Sequence, residues 1–204
     1  MVRILGNLNL DDPSDVTHGV FICSGIGFAF RGEHDHLAFT PQDLIWRRNE
    51  DGYDCADLKP HFFKQHGGSV MGKHYRQESR SIVCLQPENP RDPYNLLKLH
   101  RNHLPAGHTG RMYCAPHTKK KLDERPKDVL GRPTWYGGPL GHNKLAKIVG
   151  IHCARAGMPT PAGGLGTFIA HSLRRTCLTN GANSGVVNGD TSLMAAGGHT
   201  TKEG

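Results

Sequence analysis

The chain has 204 residues, 36% of them hydrophobic and 21% charged, which excludes wholesale disorder and suits one domain able to bury a core. Its 25 Lys and Arg against 18 Asp and Glu leave a net charge of +7, a balance that favours a polyanionic partner, nucleic acid first. The longest apolar run, residues 19–30, is too short to span a bilayer and is broken by Ser24, Gly25 and Gly27, so no membrane partner is expected.

Residues 1–14 read as an entry segment closing in the turn Asp11-Asp12-Pro13-Ser14, where Asp12-Pro13 is also a helix-start signal. A helix is expected from 15 to 31 despite its glycines. Thr40-Pro41-Gln42-Asp43 marks a turn or helix start before Leu44-Ile45-Trp46. Asn49-Glu50-Asp51-Gly52 is a hairpin turn, since Asp-Gly readily supplies positive φ. With a second turn at His66-Gly67-Gly68-Ser69 and a short strand at Ser81-Ile82-Val83-Cys84-Leu85, a small antiparallel sheet is expected between about residues 44 and 86. After a loop at 87–93, residues 94–104 fit an amphipathic helix with Leu96, Leu97 and Leu99 as core candidates. The stretch 105–136, polar and carrying Lys119-Lys120-Lys121, reads as a long mobile loop. A helix from 139 to about 156, a loop at 157–166 and a helix over 167–180 follow. Six cysteines (Cys23, Cys55, Cys84, Cys114, Cys153, Cys177) lie far apart without a CxxC pair, and no signal sequence leads the chain. They read as reduced thiols of an intracellular protein.

Three features carry chemistry. Phe28-Ala29-Phe30-Arg31-Gly32-Glu33 puts an arginine just after an apolar helix, with Glu33 and Asp35 both close behind. Lys64 lies within the expected sheet region, and Lys73 after Gly72 is an alternative to it. His171-Ser172-Leu173-Arg174 is an HxxR motif whose i,i+3 spacing puts both ends on one helix face, and Gly198-His199 follows downstream. Breaking a DNA phosphodiester builds negative charge on the nonbridging oxygens. Two arginines hold such oxygens with charge-assisted, often bidentate bonds. A lysine protonates the departing 5′ oxygen, and histidines handle the nucleophile's proton. No cofactor and no metal is called for by this chemistry. His34-Asp35-His36 is set aside as a zinc site because adjacent positions seldom converge unaided. Cys114-Ala115-Pro116-His117 lacks a partner pair, and Trp135-Tyr136 is read as anchoring rather than base stacking.

Arg31, Lys64, His171, Arg174 and His199 resemble the ordered Arg-Lys-His-Arg-His set of tyrosine recombinases. Phe28 to Glu33, Phe62-Phe63-Lys64 with its following glycines, Trp135-Tyr136-Gly137-Gly138-Pro139-Leu140-Gly141-His142-Asn143 and His171-Ser172-Leu173-Arg174 are similar to the Crypton-derived subgroup, domesticated in zinc-finger MYM-type and glutamine-rich proteins. The likeness runs over about residues 12–200. It implies an α+β fold, a mainly helical tyrosine recombinase catalytic domain with a small antiparallel sheet, spanning 1–204 without the N-terminal DNA-clamping domain. It further implies strand cleavage and joining through a 3′-phosphotyrosyl intermediate, with Arg31, Arg174 and Arg175 on DNA phosphates. The family's nucleophilic tyrosine lies two to three turns beyond the final histidine, whereas Tyr53, Tyr75, Tyr94, Tyr113 and Tyr136 all precede His199. The expectation is therefore a truncated domain that binds DNA in the nucleus, with self-association on DNA, and does not cleave. The alternative is a non-enzymatic domesticated module for DNA, chromatin or protein contacts in a nuclear regulator.

Overall fold

The computed structural model describes residues 2–30, 32–59, 80–118 and 120–158, with Ser172, Leu173 and Thr176 beyond them. The entry segment is not wholly irregular, since it holds a short helix, α1 (Val2–Gly6). The expected start signal then opens α2 (Pro13–Gly27): the Asp12 carboxylate accepts from the Ser14 N–H at 2.8 Å, and Pro13 sits where an N–H would have no helical partner. Ten of the fifteen α2 residues are buried, so apolar and small polar side chains cover nearly its whole circumference.

α2 stops at Gly27, short of the expected residue 31. The Phe30 N–H donates to Gly25 O at 3.2 Å and the Ala29 N–H to Ile26 O at 3.3 Å, the paired bonds of a Schellman cap. Ala29 takes the left-handed position, φ 49°, that glycine usually fills. Gly32 resumes the chain into α3 (Gly32–Ala38). A 3-10 turn, Pro41–Asp43, follows, closed by the Thr40 N–H and hydroxyl donating to Asp43 Oδ2 at 2.8 Å each.

The expected antiparallel sheet is present, in the order β1 (Leu44–Arg48), β2 (Asp54–Leu58), β3 (Ser81–Val83). Its first hairpin turns at Gly52, φ 83°, with the Asn49 N–H donating to Tyr53 O at 2.8 Å. The second expected turn, at 66–69, lies outside the described residues. α4 (Pro93–Asn102), capped by Asp92, buries Tyr94, Leu96, Leu97 and His100. Leu99 is only half-buried; His100 takes the inner position instead, with Nε2 2.7 Å from Met112 O.

The stretch 105–136 is not a mobile loop. It supplies β4 (Cys114–Pro116), which pairs with β5 (Tyr136–Pro139) in a second sheet, and it buries Met112, Tyr113, Cys114 and Tyr136 to 1% exposure or less. Between the strands, Asp128 accepts from the N–H groups of Leu130 and Arg132 at 2.8 and 2.9 Å and from Arg132 Nε at 2.9 Å. The helix expected over 139–156 is two shorter ones, α5 (His142–Leu145) and α6 (Ile148–Arg155), and Pro139 belongs to β5. Of the last expected helix, Ser172, Leu173 and Thr176 are described and helical, with Thr176 Oγ1 donating to Ser172 O at 2.9 Å. The five described cysteines are buried and unbridged. Among the described residues no helix is long and apolar enough to cross a membrane.

Burial keeps two core imidazoles neutral, lowering His36 to about 3 and His100 to about 4 from an ordinary 6.5. The unfolded chain takes up these protons near pH 6.5, whereas the native one resists until the lower values. Their contribution to stability is therefore whole above pH 6.5 and drains as pH falls towards 4, by up to about 1.4 kcal/mol per pH unit for each ring. The urea midpoint is expected to fall between pH 7 and pH 5; a midpoint that holds steady would contradict neutral, buried rings.

Candidate functional site

Arg31, Lys64, His171, Arg174, Arg175 and His199 lie outside the described residues, as does Lys73. The described segments next to Arg31, next to Arg174 and at the end of the lysine-bearing connection, however, are brought to one place. Phe28, Ala29 and Phe30 lead to Arg31 and form the capped end of α2. Arg80 is the first described residue after the 60–79 connection that carries both lysines, and its guanidinium donates to Phe28 O at 2.7 Å and Ala29 O at 3.3 Å. Because β2 and β3 are antiparallel neighbours, with the Leu58 N–H donating to Arg80 O at 2.9 Å, that connection leaves and returns at one end of the sheet. Leu173, which separates His171 from Arg174, is 5% exposed and packs over Gly25.

Two small residues make this approach geometrically feasible. A Cβ at Gly25 would stand 2.5 Å from Leu173 Cδ1 and 3.1 Å from His36 Nε2. One at Gly27 would stand 2.4 Å from Ile82 Cγ1 of β3. The last turn of α2 thus takes the HxxR segment on one glycine and the sheet on the next. Sequence reasoning counted these glycines against the helix, when they are what its neighbours require.

His36 is the hub of the same region. Its ring stacks on Phe21 at 3.9 Å, meets Phe30 edge-on at 4.9 Å, and its Nδ1 lies 2.8 Å from the Tyr113 hydroxyl. This places His36 in the core. Of the two acidic candidates, Glu33 reaches His142 Nδ1 at 2.9 Å, tying α3 to α5, while Asp35 is buried. The Trp135-Tyr136 pair anchors as expected: Trp135 stacks on His103 at 3.6 Å, and the buried Tyr136 donates its hydroxyl to Pro13 O at 3.2 Å. Cys114 is likewise a core residue, and His117 lies 3.3 Å from the Thr134 hydroxyl.

No protein-family model and no curated protein matches the sequence. Among solved structures, the XerH site-specific recombinase bound to its difH substrate, in a pre-cleavage complex, matches with a TM-score of 0.54 over 98% of this chain at 16% identity. The fold is tyrosine recombinase-like. This chain spans 44% of the length of the XerH chain. The expected fold class, α+β with several helices and small antiparallel sheets, is the one observed.

The packing of Leu173 on Gly25 gives the site a test that touches none of its charged residues. Gly25→Ala is expected to destabilise the protein by about 1–3 kcal/mol through overpacking. Gly6→Ala meets nothing within 4 Å and is expected to leave the urea midpoint unchanged or slightly raised. Equal midpoints for the two variants would mean that the HxxR segment does not rest where described.

Proposed function

We propose that this chain is the catalytic-domain portion of a tyrosine recombinase of the Crypton type, a DNA-binding module that grips phosphate. The supporting observation is the meeting of three segments at the last turn of α2: Phe28–Phe30 and Leu173, which adjoin Arg31 and Arg174, and Arg80, which ends the 60–79 connection that carries Lys64. In this reading Arg31 and Arg174 hold the nonbridging oxygens of one phosphate, and Arg175 adds a contact to the DNA backbone. Lys64, or Lys73, faces the leaving oxygen, and His171 and His199 complete the pocket. The net charge of +7 adds long-range attraction to the polyanion. XerH, a site-specific recombinase of like fold, is solved bound to its difH substrate.

The tyrosines support binding without cleavage by these residues. Tyr113 and Tyr136 are core side chains whose burial pushes both phenols well above their usual range. Tyr94 is buried with its ring 5.3 Å from that of Trp46. Tyr53 sits on the β1–β2 turn. The burial of Tyr94, Tyr113 and Tyr136 also fits a second reading, a non-enzymatic domesticated module for DNA, chromatin or protein contacts in a nuclear regulator.

Affinity for duplex DNA is expected to fall linearly with the logarithm of salt concentration, with little sequence preference. Arg31→Ala and Arg174→Ala should each weaken binding by about 1–3 kcal/mol and flatten the salt slope by about one. Unchanged affinity in both, in proteins that unfold at the wild-type urea midpoint, would sink the pocket assignment.

A further inference from the structure

At the opposite end of α2 from the glycine-lined turn, three potential ligands converge that the phosphate site does not use. Asp15 and His18 stand one turn apart on α2, and His152 meets them from α6. One ligating atom from each lies within 4.8 Å of the other two. His18 Nδ1 and His152 Nε2 are 2.9 Å apart, with the rings edge-on at 81°. Ten residues of helix separate Asp15 from Gly25, about 15 Å, so this cluster is distinct from the candidate phosphate site.

From this geometry we infer a binding site for a divalent transition-metal ion, zinc by ligand type, formed by Asp15, His18 and His152, which clamps α6 to the start of α2. Two imidazole nitrogens on one zinc stand about 3.3 Å apart, given Zn–N distances of about 2.0–2.1 Å, so a small ring rotation opens the observed pair to fit. Asp15 is already oriented: its Oδ2 accepts from the Asn9 N–H at 3.0 Å and its Oδ1 from Arg155 Nη1 at 2.7 Å. The Arg155 side chain is 51% exposed, so it turns out to solvent when a dication replaces it on the carboxylate. His18 is half-buried, which leaves a path for the ion and room for water at a fourth position.

Cobalt(II) titrated into the metal-free protein, followed by its visible absorption, with zinc in competition, tests the site. The wild type is expected to take up one equivalent with the intense bands of low-coordinate cobalt, and zinc is expected to displace it and raise the Tm. His18→Asn, at a half-exposed position that leaves the core intact, should weaken binding by more than the roughly 10–100-fold that loss of an outer-shell partner costs, and should abolish the zinc-dependent Tm rise. Arg155→Ala removes the competing cation and should bind several-fold more tightly. Absence of one-equivalent binding in both the wild type and Arg155→Ala, or binding in His18→Asn equal to wild type, overturns the proposal. Neither result bears on DNA affinity, which rests on the other end of the helix.

Discussion

Everything in this fold leans on a helix that has almost no side left for water. α2 packs against α4, β4, α3, α6, β3 and Leu173, so its surface must be apolar where neighbours are apolar and thin where they come close. A helix buried all round loses the usual option of turning its polar residues outward. Of the polar groups it buries, Thr17 Oγ1 lies 3.0 Å from Pro13 O and 3.3 Å from Cys114 O and Asp15 has both oxygens engaged, whereas the Ser24 hydroxyl has no partner among the described residues. Such a helix is a rigid reference for whatever is attached to it. The Phe28-Ala29-Phe30 cap, Arg80 and Leu173 are all located against its last turn, so the spacing among the segments they belong to is fixed by core packing and not by loop conformation.

The electrostatics divide in the same way. Inside, imidazoles are neutral: His36 and His100 lie in low-dielectric surroundings where a proton would be costly, and each uses one nitrogen in a hydrogen bond. Outside, none of the described Lys and Arg residues is buried. A phosphate-gripping surface needs this separation, because cationic charge at the rim is useful only if the packed interior beneath it does not have to accommodate charge as well. The fourteen histidines are therefore not one population. Those in the core act as polar aromatic side chains, and their charge state differs between native and unfolded chains.

Much of the fold was legible in the sequence because local chemistry decided it. Asp12-Pro13 opened the helix it advertised, Asp51-Gly52 turned the hairpin, and the sheet fell within its expected limits. The failures share a cause, which is that composition averages over positions. The segment 105–136 is polar on average, yet its two ends place Met112, Tyr113, Cys114 and Tyr136 in the core, and its middle is organised by one carboxylate, Asp128. Gly25 and Gly27 looked like weaknesses in a helix because the partners that need their thinness, Leu173 and Ile82, are remote in sequence. The Asp15–His18–His152 group was invisible for the same reason: an i,i+3 pair is commonplace until a third ligand arrives from 134 residues away. Of the candidate site, the motif order was readable, and what the fold adds is the meeting of the segments beside it.

The Schellman cap beside Arg31 shows how far strain alone carries a functional argument. A non-glycine residue in the left-handed region costs about 1–2 kcal/mol, and such positions gather at functional sites. Ala29 has that conformation two residues before the candidate arginine, which invites a catalytic explanation. Its methyl group, however, is 2% exposed and contributes roughly the 0.8 kcal/mol of one buried carbon, which a glycine would forgo. That burial offsets roughly half of the strain, so packing accounts for part of the preference for alanine there. The cap's contribution to function is directional: it ends α2 at Gly27 and exposes the carbonyls of Phe28 and Ala29 to Arg80, joining the helix end to the strand connection that carries the lysines. The case for a phosphate site therefore rests on that junction and on Leu173 over Gly25, and would stand unchanged if residue 29 were glycine.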